Sequence, residues 1–205
     1  SHLSNLTLHE AQALYRTGWF PFIALYGPAR KHLEFLIRRI QEEKSTDIAE
    51  AELVKSFDED QVERIVVRWL LDPKLNRHRE IIEAGIRYYM QSEYIACINT
   101  IWPRVEGLLR TILGDYRLNL ISGELEKAML REPNYPGIFL PENFKAYLEE
   151  FYFADFRENK IPLSRHSIAH GVAKAEDYTQ KNALIGLLIL DQIANYYHKM
   201  PASET

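Results

Sequence analysis

Ser92-Glu93-Tyr94-Ile95-Ala96-Cys97-Ile98-Asn99-Thr100-Ile101-Trp102-Pro103-Arg104-Val105-Glu106-Gly107-Leu108-Leu109-Arg110-Thr111-Ile112-Leu113-Gly114 is the stretch that decides the fold. Ile95, Ile98, Trp102, Val105, Leu109 and Ile112 recur in it at alternating steps of three and four. That spacing stacks them into one continuous apolar stripe on a helix. Ser92 reads as the N-cap and Gly114 as the stop. Pro103 removes a backbone donor and crowds the preceding turn, so it should bend this helix.

The same period extends in both directions. Upstream, residues 8–16 read as a first helix that Gly18 ends. Trp19-Phe20-Pro21-Phe22 is an aromatic link. Residues 28–43 carry Leu33, Leu36, Ile37 and Ile40 on one helical face, and residues 47–55 form a short helix. Ser56 with Glu59 three residues later predicts a capping box for a helix bearing Val62, Ile65, Val66, Trp69 and Leu70, which Pro73 stops. A second part starts near Leu75. Residues 79–90 are helical, with Ile82, Ile86 and Tyr89 on one face.

Downstream, residues 122–131 read as a short helix and residues 132–141 as a loop marked by three prolines and a glycine. Pro141 suits the first turn of a helix whose face is Phe144, Tyr147, Leu148 and Phe151. Thr179 opens the last helix, through about His198, with Leu184, Leu187 and Leu188 on its face and Asp191 taking an apolar step. There is no alternating strand and no internal repeat. The expectation is an all-α protein, with an N-terminal helical region over residues 1–75 and a helical bundle over residues 76–200.

Composition narrows the function. Apolar residues make up 46% of the 205-residue chain, enough for a sizeable core. The net charge is -4, whereas a domain that coats nucleic acid nonspecifically is usually basic. Any nucleic-acid role must therefore rest on a local site. The single cysteine, Cys97, allows no internal disulfide, and no secretory signal or membrane span is legible, so the expected location is cytoplasmic.

The chemistry concentrates in Ser164-Arg165-His166-Ser167-Ile168-Ala169-His170-Gly171. Ser164 is a good N-cap and Gly171 a good C-terminal stop, so the run reads as a short capped helix. His166 and His170 are four apart and share a face. Arg165 and His170 are separated by roughly 140° on an ideal helix, but a long arginine stem can swing toward the histidine. RNA cleavage by 2′-hydroxyl attack needs a proton acceptor, a proton donor and charge stabilisation at phosphate. Histidine titrates near neutrality and arginine presents a fork of donors to phosphate. Ser167 could add a hydrogen bond. No metal or other cofactor is called for.

These residues resemble the HEPN superfamily. Arg165, the polar His166 straight after it, and His170 match its Arg-x4-His signature, and Gly171 extends the match to an Arg-His-x-x-x-His-Gly form. The segment Trp102 to Arg110, with Glu106-Gly107 inside it, and Asp177-Tyr178 with Asn182 before a leucine-rich last helix, agree with it too. The resemblance covers roughly residues 76–199. It implies a helical bundle and a metal-independent endoribonuclease, with Arg165 and His170 catalytic and Glu106 supporting. It further implies a homodimer that brings two motifs over one RNA, and a role as toxin or antiviral defence effector with an antitoxin or defence-system partner. HEPN toxins paired with nucleotidyltransferase antitoxins often carry tyrosine two places after the histidine; Val172 stands there, against that particular scheme. The superfamily also contains members with no known cleavage activity, so the alternative expectation is a non-catalytic HEPN-like module that binds a partner protein or a nucleotide.

Plainer readings stand beside these. Arg165 could pair with Glu106 or Asp155 and only hold the bundle together. His170 could bond a backbone carbonyl. His166 and His170 have metal-ligand spacing, but no third ligand is nearby in sequence. Glu106 and Arg110, four apart, could be a surface ion pair.

Overall fold

The computed structural model describes residues 6–70, 75–113, 141–154 and 163–198. Its elements are α1 (Leu8–Arg16), a 3-10 turn (Ile23–Leu25), α2 (Arg30–Gln41), α3 (Asp47–Lys55), α4 (Glu59–Leu70), α5 (Asn76–Met90) and α6 (Tyr94–Leu113). After these come α7 (Pro141–Tyr147), which runs on as a turn of π-helix (Leu148–Tyr152), α8 (Arg165–Ala169), a 3-10 turn (Ala175–Asp177) and α9 (Gln180–His198). No strand occurs among the described residues, so the fold is all-α. The expected helix over residues 122–131, the proline-rich loop before Pro141, and the stops at Pro73 and Gly114 lie outside the described residues.

Local chemistry sets the boundaries. Thr7 caps α1 in a reciprocal box: its hydroxyl accepts from the Glu10 amide at 3.2 Å, and the Glu10 carboxylate accepts from the Thr7 amide at 2.8 Å. Two expected caps are corrected. The Ser56 hydroxyl donates to the Leu53 carbonyl at 2.6 Å and closes α3, while Asp58 caps α4 by accepting from the Gln61 amide at 2.9 Å. Asp58 is the residue next to the helix, and a carboxylate also favours the positive helix end. Ser92 sits at φ +59°. Its amide donates to Tyr89 and the Glu93 amide to Tyr88. It therefore terminates α5 in the six-to-one pattern of a helix C-terminus and does not cap α6.

Two helices form the centre. Along α6, Ile98, Trp102, Val105 and Leu109 of the predicted stripe are buried, but Ile95 is 56% exposed. Cys97, Ile101 and Leu108 are buried as well, because α6 packs on α5 on one side and α9 on another. α9 is covered all round: residues 183–194 are all buried. Of its polar core residues, Gln192 accepts from the Ile23 amide at 2.9 Å and Asp191 from the Asn195 amide group at 3.1 Å, while the buried Gln192 Nε2 has no acceptor among the described residues. Gly186 is where α9 touches α6. A Cβ built there would lie 2.9 Å from Trp102 Cδ1 and Nε1, so only glycine allows this approach.

The N-terminal residues belong to the same core. Trp19, Phe20 and Phe22 are fully buried. The Phe20 ring lies 5.3 Å from that of Phe144 and 5.2 Å from that of Tyr147, and the Tyr147 hydroxyl donates to the Gly18 carbonyl at 2.7 Å. One continuous apolar cluster runs from Leu14 to Ala194, with no break at residue 75. Among the described residues, no helix is long and apolar enough to cross a membrane.

Candidate active site

The run from Ser164 to Gly171 forms the short capped helix that its sequence predicts. Ser164 adopts extended φ/ψ and its hydroxyl accepts from the Ser167 amide at 3.2 Å. In return the Ser167 hydroxyl accepts from the Ser164 amide at 2.9 Å and donates to the Ser164 carbonyl at 3.0 Å. Gly171 lies at φ +66°, which glycine adopts without the Cβ penalty. The Val172 and Ala173 amides both donate to the Ser167 carbonyl, at 3.0 and 3.2 Å. The turn is thus fixed at both ends by its own groups.

That economy changes the part played by Ser167. Expected to lend a hydrogen bond to the chemistry, it is 1% exposed and its hydroxyl is consumed by the cap. It is also the most buried residue of the turn; beside it Ile168, half-buried, packs against the core, and Ala169 is exposed.

Arg165 and His170 point to different surroundings. The Arg165 Nε donates to Glu106 Oε2 at 2.7 Å. The other carboxylate oxygen, Oε1, accepts from Arg110 Nε at 3.1 Å and Nη2 at 2.9 Å. One carboxylate, 12% exposed, therefore joins two arginines and ties α8 to α6. Of the two structural partners that the residue types allow for Arg165, it is Glu106 that is met; Asp155 lies outside the described residues. The two Nη nitrogens of Arg165 have no acceptor among the described residues. His170 is exposed and forms the C-cap of α8. Its ring stands 4.3 Å from the His166 ring, tilted by 47°. Val172 is 47% exposed.

Beneath the carboxylate lies a residue that pattern reading passed over. Tyr152, in the π turn, is fully buried, and its hydroxyl donates to the Trp102 carbonyl at 2.6 Å. The Glu106 amide hydrogen-bonds the same hydroxyl. The Tyr152 hydroxyl thus meets both the Trp102 carbonyl and the Glu106 amide of α6. Burial holds its hydroxyl well above the ordinary phenol range; the Glu106 carboxylate adds to the rise and Arg165 opposes it. In sequence Tyr152 stands within Phe151-Tyr152-Phe153, a run that signals only core.

A cavity of about 680 Å³ opens elsewhere, among α3, the start of α4, the α5–α6 turn and the start of α9. Its walls include Glu50, Phe57, Tyr89, Tyr94 and Lys181, and no residue from 164 to 171 lines it. Among the described residues, no three His, Cys, Asp or Glu side chains gather as a metal site would require. Comparison with protein-family models, with curated proteins and with solved structures finds no match to this chain.

Proposed function

We propose that this chain is a metal-independent endoribonuclease of HEPN type, in which Arg165 and His170 act on one RNA phosphodiester. The observation that carries the reading is the state of Arg165. Its guanidinium is held by one edge, Nε to Glu106 at 2.7 Å, while the Nη edge has no acceptor among the described residues. An arginine aimed in this way has its orientation settled before substrate arrives, and the remaining fork matches two phosphate oxygens. Exposed His170 closes the same turn.

In the reaction, the ribose O2′ bonds to phosphorus and the P–O5′ bond breaks. The products are a 2′,3′-cyclic phosphate and a 5′-hydroxyl end. The O2′ proton leaves to a base and O5′ gains one from an acid, both within the range of imidazole. Arg165 offsets the charge that gathers on the two non-bridging oxygens. A symmetric homodimer would place a second Arg165 and a second His170 at the same phosphate, so that one histidine serves as base and the other as acid. A toxin or antiviral effector held by an antitoxin or defence-system partner fits such an activity, as does a cytoplasmic location.

A second reading is a non-catalytic HEPN-like module that binds a partner protein or a nucleotide. One observation favours it: Glu106 uses both oxygens on arginines, as a purely structural ion-pair bridge would. Incubating the pure protein with total RNA and with tRNA, beside His170→Ala, separates the two. Fragments ending in cyclic phosphate from the parent chain only would support cleavage. Intact RNA at every protein concentration would leave the binding module.

A further inference from the structure

The acidic residues of this chain are not spread evenly. Residues 42–63 hold nine Asp and Glu against two Lys, a net charge of -7, while the whole chain carries -4, so the remainder is net positive by 3. That segment is α3, the start of α4 and the turns before each. Arg165 and Arg110 belong to the positive remainder. Arg110 stands sixteen residues along α6 from Tyr94, a rise of roughly 24 Å.

The cavity of about 680 Å³ opens in the acidic part. Its volume falls within the roughly 300–1,000 Å³ of ordinary ligand sites. Its apolar lining comes from Phe57 and Tyr89, which are buried, and from Val54, Met90 and Tyr94, which are half-buried. The Tyr89 and Tyr94 rings stand 6.0 Å apart. Ile48 lies three residues before Ala51 and seven before Lys55, both in the lining, so it shares their face of α3; it is 71% exposed. The apolar lining thus continues onto the open surface, with polar residues around it.

The charges around this lining sort by sign. Lys181 is spent on Glu50, whose other oxygen accepts from the Thr46 hydroxyl at 2.7 Å. That leaves Asp47, Asp58 and Glu59 against Lys55. Asp58 caps α4, but the Asp47 and Glu59 carboxylates are exposed and have no partner among the described residues. An apolar cleft with such a rim selects an occupant that brings apolar anchors flanked by lysine or arginine. Their cationic heads meet the carboxylates and suit the face of an aromatic ring such as Tyr94. The same field repels a phosphate backbone, so RNA is a poor fit here. A free polyamine would meet the rim but carries no side chain for the apolar lining.

We propose that the cavity bounded by α3, the start of α4, the α5–α6 turn and the start of α9 docks a basic segment of a protein partner. A leucine or aromatic side chain of that segment enters the cavity, and flanking lysines or arginines meet Asp47 and Glu59. No residue from 164 to 171 lines the cavity, so the site does not rest on the ribonuclease reading.

The test titrates the full chain with defined peptides and follows the Met90 methyl and Tyr94 ring signals by NMR. A peptide with leucine on one helical face and lysine on the other should move both signals, with half-saturation at about 0.1 mM or below. Its glutamate-for-lysine and serine-for-leucine analogues should each bind about tenfold more weakly or worse. Asp47→Asn with Glu59→Gln should weaken the lysine peptide by about fivefold or more, as should Ile48→Ser; all three positions are exposed, so the fold should survive. Asp47→Lys with Glu59→Lys should turn the preference toward the glutamate peptide. Signals that the lysine peptide leaves unmoved would overturn the proposal. So would equal binding of the glutamate analogue, or unchanged binding in Asp47→Asn with Glu59→Gln. Other occupants have their own signatures. Spermidine binding as tightly as the peptide would make this a polyamine site. A 2′-O-methylated RNA that moves the two signals would make it a nucleic-acid site. Signals that drift with the concentration of the chain alone would make the occupant a second copy. Each of these three overturns the protein partner. Because the readout is Met90 and Tyr94 and not cleavage, failure here leaves the ribonuclease reading standing, and the reverse holds too.

Discussion

Glu106 gives one carboxylate oxygen to Arg110 and the other to Arg165. Removing it by Glu106→Ala should cost only about 1 kcal/mol in urea unfolding, because Arg165 and Arg110 keep 29% and 39% of their side chains in solvent. RNA cleavage should suffer far more, since the Arg165 fork loses its support. A stability loss above about 3 kcal/mol would instead mark the bridge as structural. Arg165→Ala and His170→Ala should each lower cleavage by about 10²-fold or more with circular dichroism unchanged. His78 gives the acid limb of stability. Its folded pKa is depressed, so the unfolded chain binds more protons there. Stability is therefore unaffected by this group well above the unfolded value of 6.5 and falls as pH drops below it toward the folded value. Unfolding free energies measured from pH 8 to pH 5 should show that decline, and His78→Gln should flatten it. A decline identical in His78→Gln would assign it to other groups.

At the scale of elements, α8 is one turn long and cannot persist on its own propensity. Ser164→Ala should cost about 1 kcal/mol by removing the cap. The loss should be local: hydrogen exchange at the Val172 and Ala173 amides, both bound to the Ser167 carbonyl, should quicken more than exchange in α9. Uniform quickening would show the turn to be part of the global unit. Gly186→Ala should destabilise by about 1–3 kcal/mol through its clash with Trp102.

Elements were legible in the sequence wherever local chemistry decides them. Residues 8–16, 47–55 and 180–198 follow from caps and period, and the Ser164 turn from its Ser and Gly. Ser56 and Ser92 misled, because a serine near a boundary can end one helix as readily as it starts the next. The second buried face of α6, with Cys97, Ile101 and Leu108, was hidden, since a single stripe cannot reveal a second neighbour. Tyr152 was hidden for another reason: a π turn has no periodic signature, and its partner Trp102 is fifty residues away in sequence. That Glu106, and not another acid, meets Arg165 is a tertiary fact that residue types alone leave open.

At the scale of the molecule, the aromatic residues Trp19, Phe20 and Phe22 are packed inside the core that carries the candidate site. Removing residues 1–75 should therefore leave a chain that is open to proteases and lacks a cooperative melt. A compact, cooperatively folding fragment would make the N-terminal part an independent attachment after all. The proposed shared cleft has its own measurement. Mixing Arg165→Ala subunits with His170→Ala subunits should restore part of the activity if two copies meet at one phosphate, and a strictly monomeric active enzyme by light scattering would refute the arrangement.

The burial of α9 on every side has a consequence for synthesis. The helix that fills the middle of the bundle is the last one of the described fold to leave the ribosome. Until it does, α6 can meet α5, and Trp102 can meet Phe151 and Tyr152, but the face of α6 that packs on α9 has no partner. The expectation is that the interior closes only after residues 183–194, all buried in the finished fold, have emerged. Nascent chains halted before α9 should be digested by protease along their whole length, and those halted well beyond it should become resistant in a single step. On the ribonuclease proposal, nothing competent to cleave should exist until that final helix is in place.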